Sequence, residues 1–334
     1  MDYRLSSVQA GELFEKLSGA YDIYGPALFA GTGCFADTDV IRYKKLRSFD
    51  EIVWDRKSDY SFKEVLLPVN ETLFYYTEDE TKVPKGPQKE ILIFLRSCDL
   101  HAVKRLDEIY LNNGFEDFYY ARIRRRTKFA LMGCRETCGS GFCVSMGTNR
   151  TEEYDLYMEP EDGGFGIGCC LEELEAYVKA AGGEKAPVSP AFAAENKEKV
   201  TLPRKLSNES FTKEIWKEYG SRCIGCGRCN FVCPTCTCFT MQDIFYRDNE
   251  KAGERRRVWA SCQVDGFTDI AGGITFRKDQ GARFRFKVMH KIYDYEKRFG
   301  YPMCVGCGRC DDVCPEYISY SNCVNRLAKE EELA

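Results

Sequence analysis

Two short runs constrain this chain more than anything else in it. CIGCGRCNFVCP fills residues 223–234 and CVGCGRCDDVCP residues 304–315, and the two are identical at nine of twelve positions. Each run reads C-x2-C-x2-C-x3-C-P. Three thiolates at this interval curl round three irons of one cubane, while the fourth, followed by proline, points towards a second cluster. The spacing therefore groups Cys223, Cys226 and Cys229 with Cys314, and Cys304, Cys307 and Cys310 with Cys233. Two [4Fe-4S] clusters are the expectation. Soft thiolates argue against hard cations, and structural zinc favours paired CxxC units over triplets with a trailing Cys-Pro. Gly225, Gly227, Gly306 and Gly308 let backbone amides approach the sulfurs, which raises a reduction potential. No longer repeat surrounds the runs, so the chemistry recurs without a repeated structural unit.

The remaining composition narrows the class. Nineteen cysteines in 334 residues is far above an ordinary share. Secreted disulfide scaffolds are also cysteine-rich, but they are short. A long chain with clustered CxxC units reads as metal-binding instead. The first residues, MDYRLSSVQAGELFEKL, lack the basic, apolar, small-residue order of a signal peptide, so the cytoplasm is expected. No apolar run of about 18 residues suggests a membrane span. A net charge of −4 gives no case for nucleic acid.

Residues 1–185 read as an α/β domain. SSVQAGELFEKLSG places Val8, Leu13, Phe14 and Leu17 near helical spacing, with Ser6 or Ser7 as N-cap. EILIFLRSCD carries a continuous apolar run, Ile91 to Leu95, that suits a strand covered on both faces. DLHAVKRLDEIYL then has helical spacing, and KFALMGC gives a second strand, so a parallel crossover is implied. DGGFGIGCCLEELEAYV reads as a turn, a strand and a helix. Its glycines lack the spacing of a nucleotide loop. Residues 186–205 are rich in Gly, Pro, Ala and charge and read as a linker. Residues 206–334 read as a mainly α-helical, ferredoxin-like domain holding the two clusters. The roughly 70 residues between the runs look helical, most clearly DQGARFRFKVMHKIYDYEKRFG, with Gly300 as its C-cap.

Eleven cysteines lie outside the two runs. Cys98 and Cys134 each follow an expected parallel strand, at the sheet edge where open α/β folds place ligands. With Cys138 and Cys143 on a Gly-rich loop they make a candidate third [4Fe-4S] site; buried free thiols are the alternative. Asp99 reads as a helix cap. Cys236, Cys238 and Cys262 are one thiolate short of a set and are read as packing beside the ferredoxin clusters. Cys34, Cys169, Cys170 and Cys323 read as core or incidental. His101 and His290 read as packing or hydrogen-bonding residues. ARIRRRTK (121–128) and GERRRVW (253–259) are basic runs that read equally as solvated faces or as docking sites for an acidic partner.

LRSCDLHAVKRLD, FCVSMGTN, CIGCGRCNFVCPTCTC, RRRVWASC, AGGITFR and CVGCGRCDDVCP together resemble the A subunit of the anaerobic, NADH-linked sulfite reductases. The β subunit of the cytosolic sulfhydrogenases, which are nickel–iron hydrogenases, is the related alternative. FCVSMGTN and DTDVIRY tilt the likeness towards the sulfite reductases. The resemblance implies a three-subunit enzyme. This chain would carry electrons from a flavin and NADH-binding subunit to a sirohaem subunit that reduces sulfite to sulfide. It would have no catalytic residue of its own. Family members often carry a cysteine directly before the Phe-Cys of FCVSMG. Here Gly141 stands there and a cysteine stands at 138, which leaves the fourth ligand of the third cluster open.

Overall fold

The computed structural model describes residues 1–33 and 37–332, so Cys34 lies outside the described residues. The chain forms two compact units. One comprises Met1–Leu66, Gly86–Cys138 and Gly147–Asn196; the other comprises Leu67–Lys85, Gly139–Met146 and Lys197–Ala334. This differs from the continuous domains read at 1–185 and 206–334. The reason is long-range pairing that local patterns do not carry: two early segments are built into the later unit. Nor are residues 186–205 a free linker. The carbonyls of Ala191 and Ala193 accept from the Cys134 amide and the Asn149 side chain, both at 2.8 Å. Further on, Asn325 ties down Lys199 and Thr201.

The strands, in chain order, are β1 (Asp2–Ser6), β2 (Tyr21–Phe29), β3 (Val40–Lys45), β4 (Asn70–Tyr76), β5 (Thr81–Lys82), β6 (Glu90–Arg96), β7 (Thr127–Met132), β8 (Leu156–Glu161), β9 (Gly164–Cys169), β10 (Glu184–Lys185), β11 (Phe239–Tyr246), β12 (Asn249–Trp259), β13 (Asp269–Ile270) and β14 (Ile274–Thr275). The first unit is one mixed sheet in the order β10-β1-β9-β8-β7-β6-β2-β3. Its centre, β2-β6-β7-β8, is parallel, and its flanks are antiparallel. Ile91 to Leu95 of β6 are all buried, as a parallel strand covered on both faces requires.

Helices α1 (Ser7–Ala20), α2 (Lys63–Leu66), α3 (Ser97–Tyr110), α4 (Phe118–Arg124) and α5 (Glu172–Ala180) belong to this unit. Ser6 caps α1 in a capping box with Gln9. The buried stripe of α1 is Ala10, Leu13, Phe14 and Leu17. Val8 is exposed, because it sits two residues, about 200°, from Ala10 on the helix wheel. α1 packs beside α5 over one core that also holds Phe94, Met132, Met158 and Ile167. The crossover from β6 through α3 and α4 to its parallel neighbour β7 matches the sequence reading.

The second unit is not mainly helical. Its sheet runs β11-β12-β4-β5, and β13 and β14 make a separate small hairpin. β11 and β12 form a long antiparallel ribbon where helix was expected. β12 is then flanked on its other side by β4, nearly two hundred residues earlier in the chain. The basic run of β12 is paired rather than free. Arg255 meets Asp243 at 2.6 Å, Arg256 meets Glu254, and Arg257 meets Glu71 at 2.8 Å. The other basic run is likewise engaged: Arg124 bonds Asp107 at 3.0 Å and Arg125 bonds Glu116 at 2.7 Å.

The helices of this unit are α6 (Ile215–Arg222), α7 (Arg228–Phe231), α8 (Gln280–Met289), α9 (Tyr295–Phe299), α10 (Arg309–Asp312) and α11 (Tyr320–Glu332). A π-helical turn, His290–Asp294, joins α8 to α9, and Gly300 (φ 85°) ends the helix as the sequence suggests. Asp311 sets the start of α11 by accepting from the amides of Tyr320 and Ser321 at 2.8 and 3.3 Å. The core of this part packs Trp216, Tyr219, Phe284, Val288, Tyr320 and Val324 around the cysteine runs. Among the described residues no helix is long and apolar enough to cross a membrane.

Candidate metal centre

The two cysteine runs fold alike. The first begins where α6 ends: the Cys223 amide caps the helix by donating to the Tyr219 carbonyl at 3.1 Å. Gly225 and Gly227 then turn left-handed (φ 70° and 76°), and the single turn of α7 carries Cys229. The second run repeats this with Gly306 and Gly308 (φ 66° and 72°) and Cys310 on α10. At Gly306 a Cβ would lie 2.7 Å from the Phe142 carbonyl, and at Gly308 2.3 Å from that of Ser140. Only glycine fits there, since both φ and space forbid a side chain. Segment 139–146 is laid against this run. The Phe142 amide donates to the Gly306 carbonyl at 2.7 Å, and Ser140 Oγ to that of Gly308 at 3.1 Å.

These turns bring backbone amides to sulfur. The Gly306 amide donates to Cys304 Sγ at 3.4 Å and the Ile318 amide to Cys314 Sγ at 3.3 Å. The Gly225 amide does the same for Cys223. Such bonds favour a thiolate over a thiol and are the usual support of a cluster-bound sulfur.

Cys223, Cys226 and Cys229 line a cavity of about 470 Å³, counting its open mouth, and Cys314 and Cys310 complete its sulfur wall. Cys314 comes from the other run, some 80 residues away, as does Cys310, which the spacing assigns to the other cluster. The remaining set also crosses between runs: the thiolate of Cys233 acts on both Cys304 and Cys310, and that of Cys307 does the same. Among the described residues no three Cys, His, Asp or Glu side chains are drawn together as for one metal ion. Burial pushes the Cys304 thiol up to about 12 and that of Cys310 well above its usual range. Loading metal on them therefore releases protons. Soft thiolate donors lining one cavity, amides on their sulfurs and glycines at each turn all fit a [4Fe-4S] group.

Two lysines that sequence reasoning passed over stand among these sulfurs. Lys291 Nζ lies 3.3 Å from Cys233 Sγ and 2.9 Å from Thr235 Oγ1. Lys287 borders the 470 Å³ cavity. Burial alone would push both ammonium groups down in pKa. The thiolates of Cys229 and Cys310 near Lys287, and of Cys233 and Cys236 near Lys291, outweigh it and hold both groups above the ordinary lysine range. The only sequence signal was their i, i+4 spacing on an otherwise apolar helix face.

In the first unit, Cys98 sits on the first turn of α3, directly after β6, and Cys134 two residues after β7. Both follow the carboxyl ends of paired parallel strands, Arg96 being in register with Met132. Arg96, also missed from sequence, closes this edge from a buried position. Its guanidinium donates to Cys134 Sγ at 3.2 Å, to the Gly133 carbonyl at 3.2 Å and to the Trp54 carbonyl at 2.7 Å. Burial pushes the Cys134 thiol up, and Arg96 partly offsets this. Cys138 is near enough to act on both. Cys143, the fourth member of the sequence set, belongs to the second unit. Asp99 is not the helix cap: Arg96 holds that position, and Asp99 is a fully buried first-turn residue.

The other cysteines have quieter places. Cys236 bonds Cys233. Cys238 bonds Cys262, which also receives the Asn230 side-chain amide at 3.1 Å. These bonds, Cys238 first, lower the Cys262 thiol to about 6. Cys169 and Cys323 lie in the cores of their units, and Cys170 is exposed. His101 Nε2 bonds the Arg150 carbonyl at 2.7 Å, and His290 stacks on Phe286.

Residues 222–318 match the model of the 4Fe-4S dicluster domain, so this part of the chain resembles the iron–sulfur proteins that carry it. The chain as a whole is similar to the β subunit of sulfhydrogenase 2 from Pyrococcus furiosus, at 29% identity over 338 residues and 95% of each chain. No solved structure matches it.

Proposed function

We propose that this chain is the electron-transfer subunit of a multisubunit oxidoreductase, with two [4Fe-4S] clusters on the eight cysteines of its paired runs. A [4Fe-4S] cluster supplies one-electron transfer. The observation that carries the reading is the shared cavity of Cys223, Cys226 and Cys229 with Cys314. The protein's own residues hold thiolates, donate amides to them and limit water around them. A third centre on Cys98, Cys134 and Cys138 is part of the proposal, supported by the Arg96 guanidinium aimed at Cys134.

For the enzyme served, the relative's name favours the sulfhydrogenase type, in which this chain would be the β subunit; a nickel–iron subunit and a flavin subunit would be its partners. The sulfite reductase reading, with a sirohaem partner, rests on FCVSMGTN and DTDVIRY alone and stands second. Purifying the native complex anaerobically separates them. Nickel co-eluting with this chain supports the first; a sirohaem absorption spectrum and no nickel support the second. Iron analysis tests the common core: fewer than about eight irons per fully loaded chain would sink it.

A further inference from the structure

Lys287 and Lys291 lie four residues apart, on the last turn of α8 and in the π-helical turn that follows it. They are 4% and 2% exposed. Taking an ammonium out of water is expensive unless an anion pairs it. Here the partners are sulfurs. Besides Cys233 and Thr235, Lys291 Nζ has Met303 Sδ at 4.0 Å. Lys287 stands on the wall it shares with Cys223, Cys226, Cys229, Cys310 and Cys314, with its Nζ 5.7 Å from the centre of the Tyr320 ring. The wide π-helical turn places Lys291 on the same side as Lys287, and such turns recur at functional sites.

The two lysines are not equivalent. Lys291 lies beside Cys233 and Cys304, both of one set, with Cys236 also near it. Lys287 borders the other set and also Cys310. Reduction adds one negative charge to a cluster. Burial by itself disfavours that charge, whereas a fixed positive charge at a few ångströms in a low-dielectric interior favours it.

We infer that Lys287 and Lys291 set the reduction potentials of the two centres, Lys291 raising that of the cluster held by Cys233, Cys304, Cys307 and Cys310, and Lys287 raising both. The inference rests on the cluster reading above and adds to it a device that makes a buried, anionic centre easier to reduce. With both ammonium groups beside it, the cluster held by Cys233, Cys304, Cys307 and Cys310 gains more from their charge than the other does.

The test is an EPR-monitored redox titration of the full chain, with iron counted in every sample. Lys291→Met removes the charge and nearly keeps the volume. It is expected to move one midpoint to more negative potential and leave the other in place. Lys287→Met is expected to move both. Lys291→Arg keeps the charge and is expected to stay near wild type. Unchanged midpoints in Lys291→Met at full iron would overturn the inference. So would an equal shift in Lys291→Met and Lys291→Arg, which would mean shape and not charge. Iron loss from both Lys291→Met and Lys291→Gln would also overturn it, because the ammonium would then be holding the cluster in place. Wild-type protein without the expected irons sinks the cluster reading itself, before any variant is compared.

Discussion

Arg257 of β12 and Glu71 of β4 meet at 2.8 Å in the interior of the second unit, 186 residues apart in sequence. Both side chains are under a tenth exposed. Removing one partner strands a buried charge, at a cost of about 3–5 kcal/mol. Glu71→Ala should therefore destabilise the protein by that order in urea unfolding. The double variant Glu71→Met with Arg257→Met should cost less than either single charge deletion. Equal losses in single and double variants would mean the pair is solvated.

The crossed cysteine sets make a pairwise prediction. Cys314→Ser should remove the same EPR signal as Cys226→Ser, and Cys233→Ser the same as Cys307→Ser, each with loss of up to about four irons. If Cys314→Ser instead matched Cys307→Ser, each run would bind its own cluster.

Gly306 and Gly300 both have positive φ, but only Gly306 is crowded. Alanine at 300 should cost about 1 kcal/mol, the left-handed penalty alone. At 306 it must also push back the Phe142 carbonyl, so Gly306→Ala should cost more in unfolding free energy and lower the iron content. Equal effects at the two sites would show that segment 139–146 yields freely.

For the first unit, Cys98→Ser and Cys134→Ser should each lower iron by about four while leaving the two ferredoxin signals intact. Arg96→Met should weaken the same centre. Unchanged iron in both cysteine variants would leave these residues as buried thiols.

Burial, then the positive charges of Lys291 and Arg277, lower the His290 imidazole to about 4. An unfolded chain binds that proton near pH 6.5. Between these values the unfolded state holds more protons, so stability rises with pH across the window and is lost as pH falls through it. His290→Gln should flatten that slope in urea midpoints measured from about pH 4 to 6.5. A slope equal to wild type would assign it to other groups.

Much of this was legible from local pattern. Ser6 with Gln9, the apolar run of β6 and Gly300 each specify a short stretch by themselves. What stayed hidden was non-local. RRRVW reads as a charged surface run until Asp243, Glu254 and Glu71 are brought to it by pairing. β4 gives no sign of a partner nearly two hundred residues on. Lys287 and Lys291 look like ordinary solvated residues of an amphipathic helix, because sequence does not reveal what faces them. Arg96 looks like the polar end of a strand for the same reason.

Segment 139–146 lies against Gly306 and Gly308, and β4 lies against β12. During synthesis the first unit has all its residues once Asn196 has emerged. By then β4 has waited without β12, and Phe142 without Gly306, while more than a hundred residues are still to come. The unit that carries the paired cysteine runs is thus the last part of the molecule that can close. A fragment cut from residue 197 onward would leave behind both β4 and β5 of its sheet and the strap over its second cysteine run.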